Sequence, residues 1–295
     1  MASTKGAAPT AGDRVGAGGA HDRLAPFLKW AGGKRSLLPH LLPLVPKDIG
    51  TYFEPFLGGG ALFFELARLG RVRKAVLADK NEELIHCYRT LQRDVDGVVT
   101  ALGRHKYDER HYYAVRDANP ARLTDAARAA RTVFLNRSGY NGLYRVNRAG
   151  AFNVPFGRYD RPRLVNVERL RRAAYALRGV NLRVDDFQKV VASATPEDFV
   201  YFDPPYVPVS PTANFTAYGQ AGFNGEDQER LARLLRNLAD TRVKTLLSNS
   251  DCRATRALYR GFPRQSVEVR RAINSVATKR GPVSELIVRS FRYPC

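Results

Sequence analysis

The chain has 295 residues, 48 Lys and Arg against 28 Asp and Glu, and a formal charge of +20. That length holds one large domain or a domain with a sizeable insertion, and the apolar content suffices for a core. The positive excess points to a polyanion, nucleic acid before anionic membrane, and no apolar run approaches the ~20 residues that a membrane-spanning helix needs. Cys87, Cys252 and Cys295 are odd in number and lack metal-ligand spacing, which fits reduced thiols in the cytoplasm and no bound metal.

Residues 1–24 are rich in Ala and Gly, contain no apolar h-region, and read as a flexible tail rather than a secretory signal. Order is expected from about Pro26. The segment 27–34 (FLKWAGGK) leads into a helix with Leu37, Leu38, Leu41 and Leu42 on one buried face. Residues 51–60 read as a short strand ending in a glycine turn. A helix with Leu62, Phe63, Leu66 and Leu69 follows, then a strand at 75–78 closing on Asp79, then a helix with Leu84, Ile85, Tyr88 and Leu91. Strand, glycine turn, helix, strand and acid make a βαβ unit of a parallel sheet.

Residues 95–180 interrupt this alternation. They are rich in Arg and Tyr, with helices expected around 126–135 and 164–177 and a turn-rich run at 136–159. The alternation then resumes, with strands at 181–184 and 199–202 and a helix at 226–240 carrying Leu231, Leu234, Leu235 and Leu238. Further strands are expected at 243–247, 266–269 and 285–288. The pattern is one α/β domain, residues 25–94 and 181–295, holding a basic insertion at 95–180.

Two constellations carry chemistry. Gly58, Gly59 and Gly60 lie between a strand and a helix, where a ligand can approach bare backbone near the helix N-terminus. Asp79 ends the next strand 19 residues later, the position of an acid that binds ribose hydroxyls. This spacing alone does not separate NAD from S-adenosylmethionine, although Glu54-Pro55-Phe56 before the glycines departs from the dinucleotide loop. The second constellation is Asp203-Pro204-Pro205-Tyr206 at the end of an apolar strand. It offers a carboxylate, carbonyls unclaimed by any ladder and a stacking ring, which suits a flat amine-bearing base turned out of its helix. Accepting both amine hydrogens favours a pyramidal nitrogen whose lone pair is available for attack, and the carboxylate stabilises the charge that develops there.

Together these segments resemble the Dam-type DNA adenine-N6 methyltransferases of the D12 class, which modify adenine in GATC. The resemblance spans about residues 26–290 in segments at 27–34, 54–61, 77–79, 136–145, 152–159, 203–206, 212–218 and 248–251. It implies a Rossmann-like α/β sheet that uses S-adenosylmethionine, with a helical and β-hairpin target-recognition insertion. By the resemblance Trp30, Lys34, Glu54, Phe56, Gly58, Gly60, Asp79 and Asp203 line the cofactor site, and Asp186 and Phe187 are placed against its adenine. Asp203, Pro204, Pro205 and Tyr206 hold the target amine. The hairpin enters double-stranded DNA: Tyr140 and Asn141 support the distorted duplex, Leu143 and Pro155 touch thymine, Arg145 reads one guanine and Lys29 the other. Arg137, Arg148, Arg158 and Arg163 are assigned to phosphate.

The resemblance further implies a monomer acting on the nucleoid, without metal or membrane. It is loose at 272–283, expected to be a mobile basic loop, and the side chains flanking Arg145 depart from other members. Taken without the family, Trp30 reads as core and Lys34 as a helix-start surface charge. The rivals are a cytosine-N4 methyltransferase, against which Asp203 argues because that class usually carries Ser there, and a noncatalytic DNA-binding protein on the same fold. A dehydrogenase fares worse, since no placed His offers a hydride-transfer acid.

Overall fold

A computed structural model describes residues 24–30, 32–160, 162, 164–207, 223–270 and 282–292. The strands are β1 (Tyr52–Glu54), β2 (Ala75–Asp79), β3 (Asn181–Val184), β4 (Phe199–Phe202), β5 (Lys244–Ser250), β6 (Arg264–Arg270) and β7 (Pro282–Arg289). They form one sheet in the order β3-β2-β1-β4-β5-β7-β6, parallel from β3 to β5, with β7 antiparallel to both neighbours. Every sequence-expected strand is present. β1 is only three residues long because Pro55 cannot donate to a ladder. β6 and β7 run beyond the expected cores at 266–269 and 285–288.

Among the described residues the α-helices are α1 (Leu38–Leu41), α2 (Ala61–Arg68), α3 (Glu82–Arg93), α4 (Val95–Leu102), α5 (Glu109–Asp117), α6 (Asp125–Ser138), α7 (Val167–Ala176), α8 (Phe187–Val190), α9 (Gly225–Asp240) and α10 (Arg253–Leu258). Pro39 and Pro43 break the first expected helix into α1 flanked by two 3-10 turns. Sequence reasoning missed α4, α5, α8 and α10; Phe187, expected to end a short strand with Asp186, opens α8 with Asp186 as its N-cap. In α5 only Tyr112 is fully buried, so no apolar stripe marks it.

Side chains alternate across the sheet, as a pleated strand requires. Tyr52, Phe199, Tyr201, Leu246 and Ile287 join one core with α2 to α7, while Phe53, Val200, Phe202, Leu247, Leu286 and Val288 join a second with α8, α9 and α10. β4, whose four residues are all buried, lies between the two layers. The helices of 95–180 share the first core: Val98 and Leu102 of α4, Tyr112 of α5, Ala129, Val133 and Phe134 of α6 and Leu170 of α7 pack with Tyr52 and Leu77. Arg131 of α6 is buried and donates to the carbonyls of Val115 and Arg116, satisfying the end of α5. Leu24, expected in the tail, packs against this core too.

Candidate active site

Four neighbouring parallel strands, β3, β2, β1 and β4, deliver their C-terminal ends to one edge of the sheet. Asp186 lies two residues past β3, Asp79 closes β2, the glycine turn follows β1 and Asp203 follows β4. Strand order reverses between β1 and β4, and ligands of open α/β sheets bind at such a switch point.

Beyond β4 the chain turns at Asp203. The Ser248 Oγ donates to the Asp203 Oδ1 at 3.0 Å, and the Lys34 Nζ lies 2.9 Å from the same oxygen. Lys34 is buried, also donates to the Gly32 carbonyl, and sits 4.5 Å from the centre of the Tyr206 ring. Burial pushes the Asp203 carboxyl up to about 6, against the opposing pull of Lys34. The rest of the run is pinned from behind. Gln228 of α9 donates to the Pro205 carbonyl at 2.8 Å, Asn249 of β5 accepts the Val207 N–H at 3.1 Å, and the Ser250 Oγ donates to the Val207 carbonyl at 2.7 Å. The Tyr206 hydroxyl donates to Glu285 of β7 at 2.8 Å. Among the described residues no donor takes the Pro204 carbonyl.

In the glycine turn Gly58 and Gly60 have φ of +46° and +64°, a left-handed backbone that glycine adopts without strain. A Cβ on Gly58 would come within 2.8 Å of the Trp30 ring, which lies on the turn. The Gly58 N–H donates to the Asp79 Oδ2 at 3.0 Å, and Asn81 donates to its Oδ1 at 2.9 Å. Two backbone bonds leave a carboxylate further acceptor sites. Glu54 is buried and accepts from the Tyr52 hydroxyl at 2.8 Å; burial pushes it up to about 8, so it is mostly protonated at neutral pH.

Phe56 stacks on Phe187, ring centres 5.5 Å apart. Asp186 caps α8 through the Gln188 N–H and pairs with Arg230 at 2.7 Å and Lys80 at 3.2 Å. Burial pushes this carboxyl up, but the amide and the two cations outweigh it and leave it below the usual value.

Of the turn-rich run 136–159, residues 136–138 end α6 and 139–159 form a short ribbon. Bridges Gly139–Phe156 and Val146–Phe152 join its arms, and Asn147 closes its tip by accepting the Ala149 and Ala151 N–H groups. Asn141 holds φ of +54° at its base. Tyr112 of α5 donates to the Val154 carbonyl and Tyr107, just before α5, to the Gly157 carbonyl, tying the ribbon to that helix, while Tyr159 donates to the Gly139 carbonyl across the ribbon's own base. Tyr140, Arg145, Pro155 and Arg158 are exposed, and Leu143 is half-buried. Asn153 holds the Arg145 guanidinium through its side chain at 2.7 Å and its carbonyl at 3.1 Å. The Lys29 ammonium lies 4.9 Å over the Tyr159 ring.

Asn136 was not singled out in the sequence. Buried on α6, it accepts the Lys29 N–H at 2.7 Å and donates to the carbonyls of Lys29 and Gly142 at 2.5 and 3.0 Å, so one amide locks the 27–34 segment to the ribbon. Tyr144 turns inward to stack on Trp30, ring centres 5.4 Å apart. Arg137, expected on phosphate, donates instead to the Phe27 carbonyl at 2.5 Å, and burial holds its guanidinium down at about 10. Arg163, Cys295, the 212–218 segment and nearly all of the 272–283 loop lie outside the described residues.

Comparison with known proteins gives the family. The profile described as D12 class N6 adenine-specific DNA methyltransferase matches residues 30–273. The chain belongs to that family. A D12 methyltransferase acts on adenine in DNA, and the relatives agree in kind. A type II methyltransferase of Lactococcus lactis subsp. cremoris, M1.LlaDCHI, is 41% identical over 91% of this chain and 96% of its own length. M.MjaIII of Methanocaldococcus jannaschii is 38% identical over 90% and 99%, and the DNA adenine methylase of Escherichia coli K12 is 37% identical over 88% and 93%. Among the described residues of this D12 enzyme, no acidic, His or Cys cluster is suited to a metal, and no helix is long and apolar enough to cross a membrane.

Proposed function

We propose that this D12 methyltransferase transfers the methyl group of S-adenosylmethionine to N6 of an adenine extruded from duplex DNA, within GATC. One observation carries the amine site. The Asp203–Tyr206 run already holds an amine, the Lys34 ammonium, 2.9 Å from the carboxylate and 4.5 Å from the ring centre. An adenine amine entering the same place donates to Asp203 and to the Pro204 carbonyl, while Tyr206 stacks on the base. Two acceptors draw the nitrogen lone pair out of the ring, and the carboxylate stabilises the positive charge that grows on nitrogen.

The glycine turn fits the methyl donor because Gly58 and Gly59 leave bare, half-buried backbone beside Trp30, while Gly60 turns inward with its left-handed φ. Asp79 retains acceptor capacity for ribose hydroxyls, and the Phe56–Phe187 stack beside Asp186 suits a purine. Glu54 stands nearby as a neutral acid. When bound, S-adenosylmethionine supplies a methyl on a positively charged sulfur that departs as a neutral thioether.

Residues 95–180 serve target recognition through the ribbon. Arg145 keeps N–H donors free for a guanine edge, Lys29 takes the other guanine, and Leu143 and Pro155 offer apolar contact to thymine methyls. Tyr140 and Asn141 support the opened duplex, and Arg158 contacts phosphate. One chain supplies every part, so the enzyme works as a monomer, in the cytoplasm where the DNA is.

Base-resolution mapping of methyladenine on duplex treated with the protein and S-adenosylmethionine tests this. Modification confined to GATC is expected, with transfer lost and DNA binding kept in Asp203→Ala. Methyladenine in another context sinks the GATC assignment; full transfer by Asp203→Ala sinks the site.

A further inference from the structure

Glu285 is a buried carboxylate that the reading above does not use. It sits on β7 opposite Ser250 of β5, is 7% exposed, and has no cation paired with it among the described residues. Burying an ionisable group is costly unless it is well partnered. Its partner is the Tyr206 phenol, at 2.8 Å. The ring is therefore held at both ends. Its hydroxyl is tied to β7, and its backbone is flanked by the Pro205 carbonyl on Gln228 and the Val207 amide on Asn249. Gln228 and Asn249 bond each other at 3.1 Å, so α9, β5 and β7 fix the loop together.

We propose that Glu285 is a positioning residue for methyl transfer, holding the Tyr206 ring square to the amine through its phenol. This rests on the Asp203–Tyr206 run being the amine site. A phenol donating to a carboxylate makes a charge-assisted bond, stronger than one to a neutral acceptor. It also leaves the ring richer in electrons on the face where the amine becomes cationic, and such a face attracts cations. Gln228 selects the accepting carbonyl in the same way, by occupying that of Pro205 and leaving that of Pro204 free.

The test compares Glu285→Gln, which keeps an acceptor, with Glu285→Leu, which does not, and adds Tyr206→Phe and the Tyr206→Phe/Glu285→Gln double variant. Single-turnover methyl transfer is measured with duplex and S-adenosylmethionine binding, 2-aminopurine fluorescence at the target base and thermal unfolding. Glu285→Leu is expected to slow transfer about a hundredfold, as a displaced contact group does, with both ligands still bound. Glu285→Gln retains most of the rate, and adding it to Tyr206→Phe costs nothing further.

A pH profile separates this from a merely structural role. Asp203 faces Lys34 from the segment before α1, Tyr52 and Glu54 of β1, Tyr201 of β4, Ser248 of β5, Tyr206 and Glu285. Only the last changes in Glu285→Gln, and its negative charge holds the Asp203 value up. The acid limb of the rate therefore moves to lower pH. An unmoved limb, an undiminished rate in Tyr206→Phe, or a Glu285→Leu defect confined to unfolding or ligand affinity overturns the inference. Failure of the underlying site shows separately, as transfer surviving Asp203→Ala.

Discussion

Asp203 sits between burial, which pushes its carboxyl up to about 6, and Lys34, which pulls it down. In the proposed mechanism the carboxylate is the form that accepts the amine hydrogens, so transfer should fall as pH drops through about 6. Replacing Lys34 with Met removes the cation, raises the carboxyl further and moves that acid limb to higher pH, read in single-turnover rates. Glu54 shows the same logic in stability. Its folded value, about 8, exceeds the ordinary 4.5. Its contribution is fully present below the unfolded value and is lost as pH rises through about 8. Glu54→Gln should flatten the alkaline fall in thermal stability. Asp203, Gly58 and Asp79 were legible because strand ends and turns mark them locally. Lys34 was named only through the family resemblance and Glu285 not at all, because their meaning comes from partners 169 and 79 residues away.

Among the elements, strands and amphipathic helices declared themselves through period. β4 and α9 appear where the apolar pattern puts them, whereas α5 and α10 bury too few residues to leave a stripe. The ribbon was legible as turn chemistry, but its attachment was not, since that depends on Asn136 meeting Lys29 across the fold. Asn136→Ala strands three backbone groups, two of them on Lys29, and should destabilise the protein by on the order of 2–3 kcal/mol in urea unfolding. The same variant should weaken discrimination of cognate from noncognate duplex more than it weakens nonspecific binding, because the ribbon loses its register against the 27–34 segment. Equal losses on both duplexes, measured by anisotropy, would show that the clamp only stabilises.

For the whole molecule, the +20 charge predicts duplex affinity that falls steeply with salt. Arg158 is 80% exposed and only loosely paired with Glu109. Arg158→Ala should reduce the slope of log affinity against log salt by about 1 without changing sequence preference. Arg145→Ala should instead cost about 1–3 kcal/mol on the cognate site and relax discrimination at one guanine. A salt titration on matched and substituted duplexes separates the two. Net charge announced the polyanion from composition alone. Which arginines face it required the fold, as Arg137 shows by turning inward to the Phe27 carbonyl.

Trp30 has one neighbour on the glycine turn and another on the ribbon: Gly58 lies against its edge and Tyr144 stacks on its face, 5.4 Å between ring centres. On the proposed assignment, a single rigid ring thus bridges the donor side and the DNA side. Whatever free energy it conveys between them runs equally in both directions: if a filled donor site tightens the grip on DNA by some factor, DNA tightens the donor by the same factor. Order of addition then becomes a matter of concentrations.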